Sequence, residues 1–135
     1  MSDSLFTKII NREIPADILY ENDYVIAFLD INPNSPGHSL VVPKVEAEDI
    51  LSSSDESLLE VMKVVKKIAP TIVESVGAQG FNLIANTKPA AGQVVMHTHF
   101  HIIPRFENDG LKHWPHIEST SEQRADLAKQ IVEKL

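Results

Sequence analysis

Three histidines, His97, His99 and His101, stand at alternate positions in the run from Met96 to Pro104. Imidazole is nucleophilic when neutral and takes up a proton readily near pH 7, so neighbouring histidines can divide the roles of attacker and hydrogen-bond donor. The residues between them are β-branched, aromatic or apolar, which predicts a strand over the whole run. Side chains alternate across a strand, so all three imidazoles are expected on one face. A fourth candidate, His38, follows Ser35-Pro36-Gly37 at the mouth of another strand.

Two chemistries fit alternate histidines. They can surround a zinc or iron ion, although a hydrolytic metal site also wants a carboxylate nearby. The run contains none, and Glu107 lies beyond Pro104-Arg105. Alternatively, one imidazole attacks an electrophilic phosphorus while the others hold its oxygens. Backbone N–H groups at Gly92-Gln93 could add an anion-binding nest. Basic residues near the motif are few (Lys88, Arg105), and no Walker-type glycine loop with lysine is present. That favours a single phosphoryl group attached to something else.

Several elements must position these side chains. Ser4 can cap a short helix running through Asn11, with Leu5, Phe6, Ile9 and Ile10 on its apolar side and Pro15 beyond its end. Segments 18–21 and 24–29 read as a hairpin around Glu21-Asn22-Asp23, and 38–43 as a third strand. A long helix opens at Ser53-Ser54-Asp55-Glu56 and carries apolar residues every three or four positions from Leu58 to Val76. Gly77 stops it, and Pro70 predicts a kink or break within it. Segment 81–86 reads as a fourth strand, and Thr87 to Gln93 as a loop leading into the histidine run. Thr120 to Gln123 resembles a capping box opening a last helix, with Leu127, Ile131 and Leu135 on one side. Hairpins plus one long crossover predict an α+β fold, an antiparallel sheet with helices packed on it.

At 135 residues the chain suits one domain, with no repeat or linker. Its formal net charge of -7 argues against a nucleic-acid polymer as partner but leaves a small phosphate compound open. With no cysteine there is no disulfide framework and no thiolate metal site. No membrane span is expected, and Met1-Ser2-Asp3-Ser4 lacks the features of a signal peptide, so the expected address is cytoplasmic. His113 and His116, around Trp114-Pro115, read as surface or dimer-contact residues.

The run His97-Thr98-His99-Phe100-His101-Ile102-Ile103 resembles the His-x-His-x-His-hydrophobic-hydrophobic signature of the histidine triad (HIT) nucleotide-binding family. Phe6-Thr7-Lys8-Ile9-Ile10 and Glu13-Ile14-Pro15-Ala16 look like its opening. Ala27-Phe28-Leu29-Asp30-Ile31-Asn32-Pro33 and Pro36-Gly37-His38-Ser39-Leu40-Val41-Val42-Pro43-Lys44 look like its next two blocks. Asn86 and Ala91-Gly92-Gln93 stand where the family has its phosphate loop. The resemblance covers residues 4 to 106, and its nearest branch is the purine-nucleoside phosphoramidases.

It implies one HIT domain over residues 1–135, a five-stranded antiparallel sheet with two or three helices, and a homodimer joined into a ten-stranded sheet. It implies a nucleoside 5′-monophosphate ester or amide as substrate, read here as a purine nucleoside 5′-phosphoramidate, with no cofactor. By position, His99 would attack the α-phosphorus and form a nucleotidyl-histidine, His101 would bond the phosphate, and His97 with His38 would support the imidazoles. Asp30 would accept hydrogen bonds from the ribose. Phe6, Ile9, Phe28 and Ile31 would wall the base pocket, and Asn86, Gly92, Gln93 and Val94 would line the phosphate loop. Val94 stands where some members carry a hydroxyl that assists the leaving group. Ser4 and Thr7 stand where many bacterial members carry a Cys-x-x-Cys zinc site, and Val45-Glu46 where a further ligand is often His, so no structural metal is expected. The alternatives are a dinucleoside polyphosphate hydrolase, in which Arg105 could hold the departing polyphosphate, and a nucleotide-binding protein with little turnover.

Overall fold

A computed structural model describes residues 3–135; Met1 and Ser2, part of the stretch read for a leader, lie outside the described residues. Five strands form one antiparallel sheet: β1 (Ile18–Glu21), β2 (Val25–Leu29), β3 (Ser39–Pro43), β4 (Gly80–Ile84) and β5 (Phe100–Arg105). Their spatial order is β1-β2-β3-β5-β4, so β5 inserts between β3 and β4. Helices α1 (Leu5–Ile10), α2 (Asp55–Val76) and α3 (Ser121–Lys134) complete the fold, which is the α+β architecture expected.

Strand alternation divides the core in two. Val25, Ala27, Val41, Phe100 and Ile102 point to one face, where Val61, Val64, Val65, Ile68, Ala69 and Ile72 of α2 cover them. Ile26, Phe28, Leu40 and Val42 point to the other, where Phe6 and Ile9 of α1 pack. A six-residue helix is too short to hold itself in water, so α1 depends on this contact and on Ser4, whose hydroxyl accepts the Thr7 N–H. Phe28 pairs with Leu40, Leu40 with His101, and His101 with Ile84. His101 therefore faces the α1 side, while its neighbours Phe100 and Ile102 face α2.

Two expectations are corrected. The strand begins at Phe100, so His97 and His99 lie in irregular backbone and only His101 is in the sheet. Ladder partners are missing there: β4 ends at Ile84, and Thr98 N–H donates instead to Ala47 O at 2.9 Å. Second, α2 continues unbroken through Pro70 to Val76. Pro70 is exposed, while Ala69 and Ile72 beside it stay buried on the sheet, and that packing offsets the lost backbone hydrogen bond. Helix α3 has the capping box read from Thr120 and Gln123, but none of its residues is buried against the sheet.

Candidate active site

The β2–β3 connection brings Asp30 and His38 together, because Asp30 N–H donates to His38 O at 2.9 Å. Gly37 makes this close approach possible. Its φ is +85°, and a Cβ there would meet Val76 and Pro104 side chains at 3.1 and 3.2 Å. His38 is thus seated on the end of α2 and directed into the sheet.

Hydrogen bonds fix each imidazole. His38 Nδ1 accepts the Asn34 N–H at 2.9 Å, so the neutral ring carries its proton on Nε2 and donates to His101 Nδ1, also at 2.9 Å. Asp30 Oδ2 lies 3.5 Å from the same His38 nitrogen. His101 is left with its Nε2–H free for a ligand. His99 Nδ1 donates to the carbonyl of His97 at 2.7 Å, which leaves the His99 Nε2 lone pair unprotonated. His97 is fully buried, with Nε2 donating to Pro43 O at 2.9 Å and Nδ1 accepting from Ser4 Oγ at 2.7 Å.

Burial lowers all four imidazoles below their ordinary range, because desolvation penalises the cation. His101 falls furthest, to about 4: burial acts first, then the neighbouring His99 and His38, while Asp30 opposes. The cluster is neutral at pH 7, the state in which imidazole attacks phosphorus.

His99 and His101 open onto a cavity of about 440 Å³, a size suited to one small organic ligand. Phe6, Ile9, Phe28 and Ile31 form part of its wall, with Leu5, Ile14, Pro15 and Ala16 added from around α1. Phe6 meets His99 edge-on, ring centroids 4.9 Å apart. Asp30 sits at the rim, its Oδ1 accepting the Asn32 N–H at 2.8 Å. Asn86, Gly92 and Val94 line the opposite side.

Gln93 behaves differently from a lining residue. Its side chain is buried, accepts the Lys88 N–H at 2.8 Å, and donates to the carbonyls of Glu48 and Val95. It shapes the loop from within. The N–H groups of Gly92 and Gln93, read as a nest, donate to Pro89 and Lys88 carbonyls at 2.9 and 3.2 Å. Lys88 holds the loop from outside by pairing with buried Asp49 at 2.8 Å. Gly92 has φ +97°, a backbone state that suits glycine alone, and it closes the short 3-10 turn Pro89–Ala91.

His113, Trp114 and His116 are exposed, and none of them lines the cavity. Arg105 is held by Asp109 through two contacts, Nε to Oδ2 at 2.8 Å and an Nη nitrogen to Oδ1 at 2.6 Å. Among the described residues, donor atoms of Asp30, His38 and His101 lie within 4.8 Å of one another and could converge on an ion. The His38–His101 separation is that of a hydrogen bond, whereas tetrahedral zinc with Zn–N of about 2.0–2.1 Å would hold two nitrogens about 3.3 Å apart. The resemblance groups Ser4, Thr7 and Glu46, but no local signal names them as partners of His97, because those contacts join positions far apart in the chain.

A neutral imidazole cluster opening onto a ligand-sized cavity is the feature that sets this fold beside known proteins. The HIT domain profile matches residues 11–108, and the chain belongs to the HIT family. An uncharacterized HIT-like protein of Methanocaldococcus jannaschii is 49% identical over 106 residues, covering 78% of this chain and 81% of its own. An adenosine 5′-monophosphoramidase of Schizosaccharomyces pombe is 38% identical over 133 residues, covering 97% of each. The crystal structure of a HIT family protein from Bacillus anthracis superposes with TM-score 0.88 at 38% identity, covering 99% of this chain and 98% of that one. Among the described residues, no helix is long and apolar enough to cross a membrane.

Proposed function

We propose that this protein is a nucleoside 5′-phosphoramidase that works through a nucleotidyl-histidine. The observation that carries the reading is the His99 imidazole: its Nδ1–H is committed to the His97 carbonyl, so its Nε2 keeps an unprotonated in-plane lone pair on a ring that lines the cavity. In the first half-reaction, Nε2 bonds to the α-phosphorus. The P–N bond to the leaving amine breaks, and the amine takes its electron pair and a proton from solvent water. The new bond makes the ring cationic, and the His97 carbonyl stabilises that charge through the Nδ1–H. His101 Nε2–H bonds a phosphoryl oxygen throughout. In the second half-reaction water attacks phosphorus, the P–N bond to His99 breaks, nucleoside monophosphate leaves, and the proton taken by the amine is returned.

Asp30 is the ribose acceptor, and the Phe6, Ile9, Phe28 and Ile31 wall takes a purine. The similarity to a named adenosine 5′-monophosphoramidase supports this choice. A polyphosphate leaving group is not favoured, because the Arg105 guanidinium already forks onto Asp109. The working unit is a cytoplasmic homodimer. Support for the dimer is the edge strand β4, whose Phe81 and Leu83 are exposed, and the exposed Trp114 and Ile117.

The test is turnover of adenosine 5′-phosphoramidate beside a diadenosine polyphosphate, for wild type and His99→Ala. Release of ammonia that disappears in the variant is the expected result. Preference for the polyphosphate, or AMP binding without turnover, would replace this reading with one of its two rivals.

A further inference from the structure

His97 never reaches the cavity, yet it is the most completely buried polar ring in the cluster. A buried imidazole must have both nitrogens satisfied. Pro43 O can only accept, so His97 Nε2 carries the proton and Nδ1 is an acceptor. The donor to it is the Ser4 hydroxyl at 2.7 Å, the same oxygen that accepts the Thr7 N–H at the start of α1. Behind it stands Glu46, whose Oε1 accepts from Thr7 Oγ1 at 2.8 Å and from the Ser4 N–H at 2.9 Å. Those donors hold the Glu46 carboxyl below the usual carboxylate range, so it is an acceptor at neutral pH. Phe6, between Ser4 and Thr7, lies edge-on to both His97 and His99.

We infer that Glu46, Thr7 and Ser4 are positioning residues that fix the His97 tautomer and, through the His97 carbonyl, aim the nucleophilic nitrogen of His99. The inference rests on the proposed role of His99. It also ties α1, which supplies Phe6 and Ile9 to the base wall, to the orientation of the attacking ring. A base that seats α1 firmly would raise kcat rather than merely lower KM.

The charged or titratable groups near His97 are Glu46, at 3.8 Å from Nδ1, and His99 on its own segment; Ser4, Thr7 and Phe6 face it from α1. Two replacements of Ser4 separate helix capping from imidazole control, because Thr and Asp both cap. Ser4→Thr keeps a hydroxyl donor for Nδ1. Ser4→Asp offers only an acceptor, so His97 must take a second proton to satisfy it.

The experiment combines imidazole NMR titration with steady-state kinetics on adenosine 5′-phosphoramidate. Ser4→Thr should retain kcat within about threefold and keep His97 neutral at pH 7. Ser4→Asp should move the His97 titration upward by at least one pH unit and lower kcat at least tenfold, with little change in KM. Glu46→Gln keeps an Oε1 acceptor and should rescue most of what Glu46→Leu loses, a check that stands if Ser4→Asp folds poorly. Equal kcat in Ser4→Thr and Ser4→Asp, with Glu46→Leu also unchanged, would overturn the inference. So would a His97 titration that none of these variants moves. The titration does not depend on turnover, so it fails separately from the phosphoramidase reading, which His99→Ala tests.

Discussion

Acidification should destabilise this fold well above the pH at which carboxylates protonate, and His101 provides the magnitude. In the unfolded chain its imidazole titrates near 6.5, whereas in the folded chain burial and the neighbouring rings hold it down to about 4. Below pH 6.5 the unfolded state therefore binds more protons, so stability present at neutral pH is lost as the pH falls from 6.5 toward 4. The full gap of about 2.5 units, at about 1.36 kcal/mol each, sets a ceiling of about 3.4 kcal/mol. By pH 5 linkage delivers about 2 kcal/mol of that, and partial contact of the ring with cavity water reduces it to about 1–2 kcal/mol. His38, His97 and His99 shift in the same direction and steepen the loss. Urea unfolding at pH 7.5 and 5.0, for wild type and His101→Asn, isolates the effect, because only the difference between the two pH values is used. Wild type should lose about 1–2 kcal/mol more than the variant over this range. Equal losses would mean that the folded His101 titrates normally and that the neutral-cluster argument is wrong.

Three further outcomes follow from other parts of the molecule. Pro70→Ala should raise unfolding free energy by about 2 kcal/mol, since proline costs about 3 kcal/mol inside a helix and returns up to about 1 by stiffening the unfolded chain; urea midpoints decide it. Gly37→Ala should destabilise by about 1–3 kcal/mol and lower turnover, because the strained φ and the crowded Cβ both push on the residue before His38; retained activity and melting temperature would refute this. Arg105→Gln should leave phosphoramidate turnover unchanged. The Asp109 carboxyl, held at about 2 chiefly by its Arg105 hydrogen bonds, should rise toward the ordinary carboxylate range in an NMR titration, while the Phe106 and Leu111 N–H groups still hold it down in part. That shift would remove a contribution to stability that is present above about pH 4 and lost as the pH falls toward 2.

Local signals in the chain carried much of the fold. Ser4, Ser54, Gly77 and Thr120 cap the helices where their types predict, and the alternation in β2 and β3 assigns each residue to a face. What misled was a partner that residue type alone does not reveal, whether distant or a few residues away. The histidine run looks like one strand, but His97 and Thr98 bond to Pro43 and Ala47 outside the ladder, so the strand starts three residues after His97. The family resemblance places Gln93 in the phosphate loop, and its amide ties that loop to Glu48, a contact no local pattern announces. Arg105 looks free for a ligand until Asp109, four residues on, takes it. Pro70 should end a helix by local rules, and burial of its neighbours on the sheet overrides them. Phe6, Ile9, Phe28 and Ile31 are named as wall residues through the family resemblance; Phe6, Ile9 and Phe28 are buried apolar residues that could equally read as core, whereas Ile31 is exposed just beyond β2.

From Glu107 onward every residue is exposed, so the last stretch of this chain has no residue buried against the rest of the fold. Asp109 still holds Arg105 of β5; from Gly110 onward, mutation opens no cavity and takes no side-chain partner from the sheet or the imidazoles. Beyond Asp109, selection can act on that segment through what it touches outside this chain. Two relatives could therefore share an identical catalytic interior and differ entirely in their tails. Divergence within such a lineage would accumulate as changes of company rather than changes of chemistry.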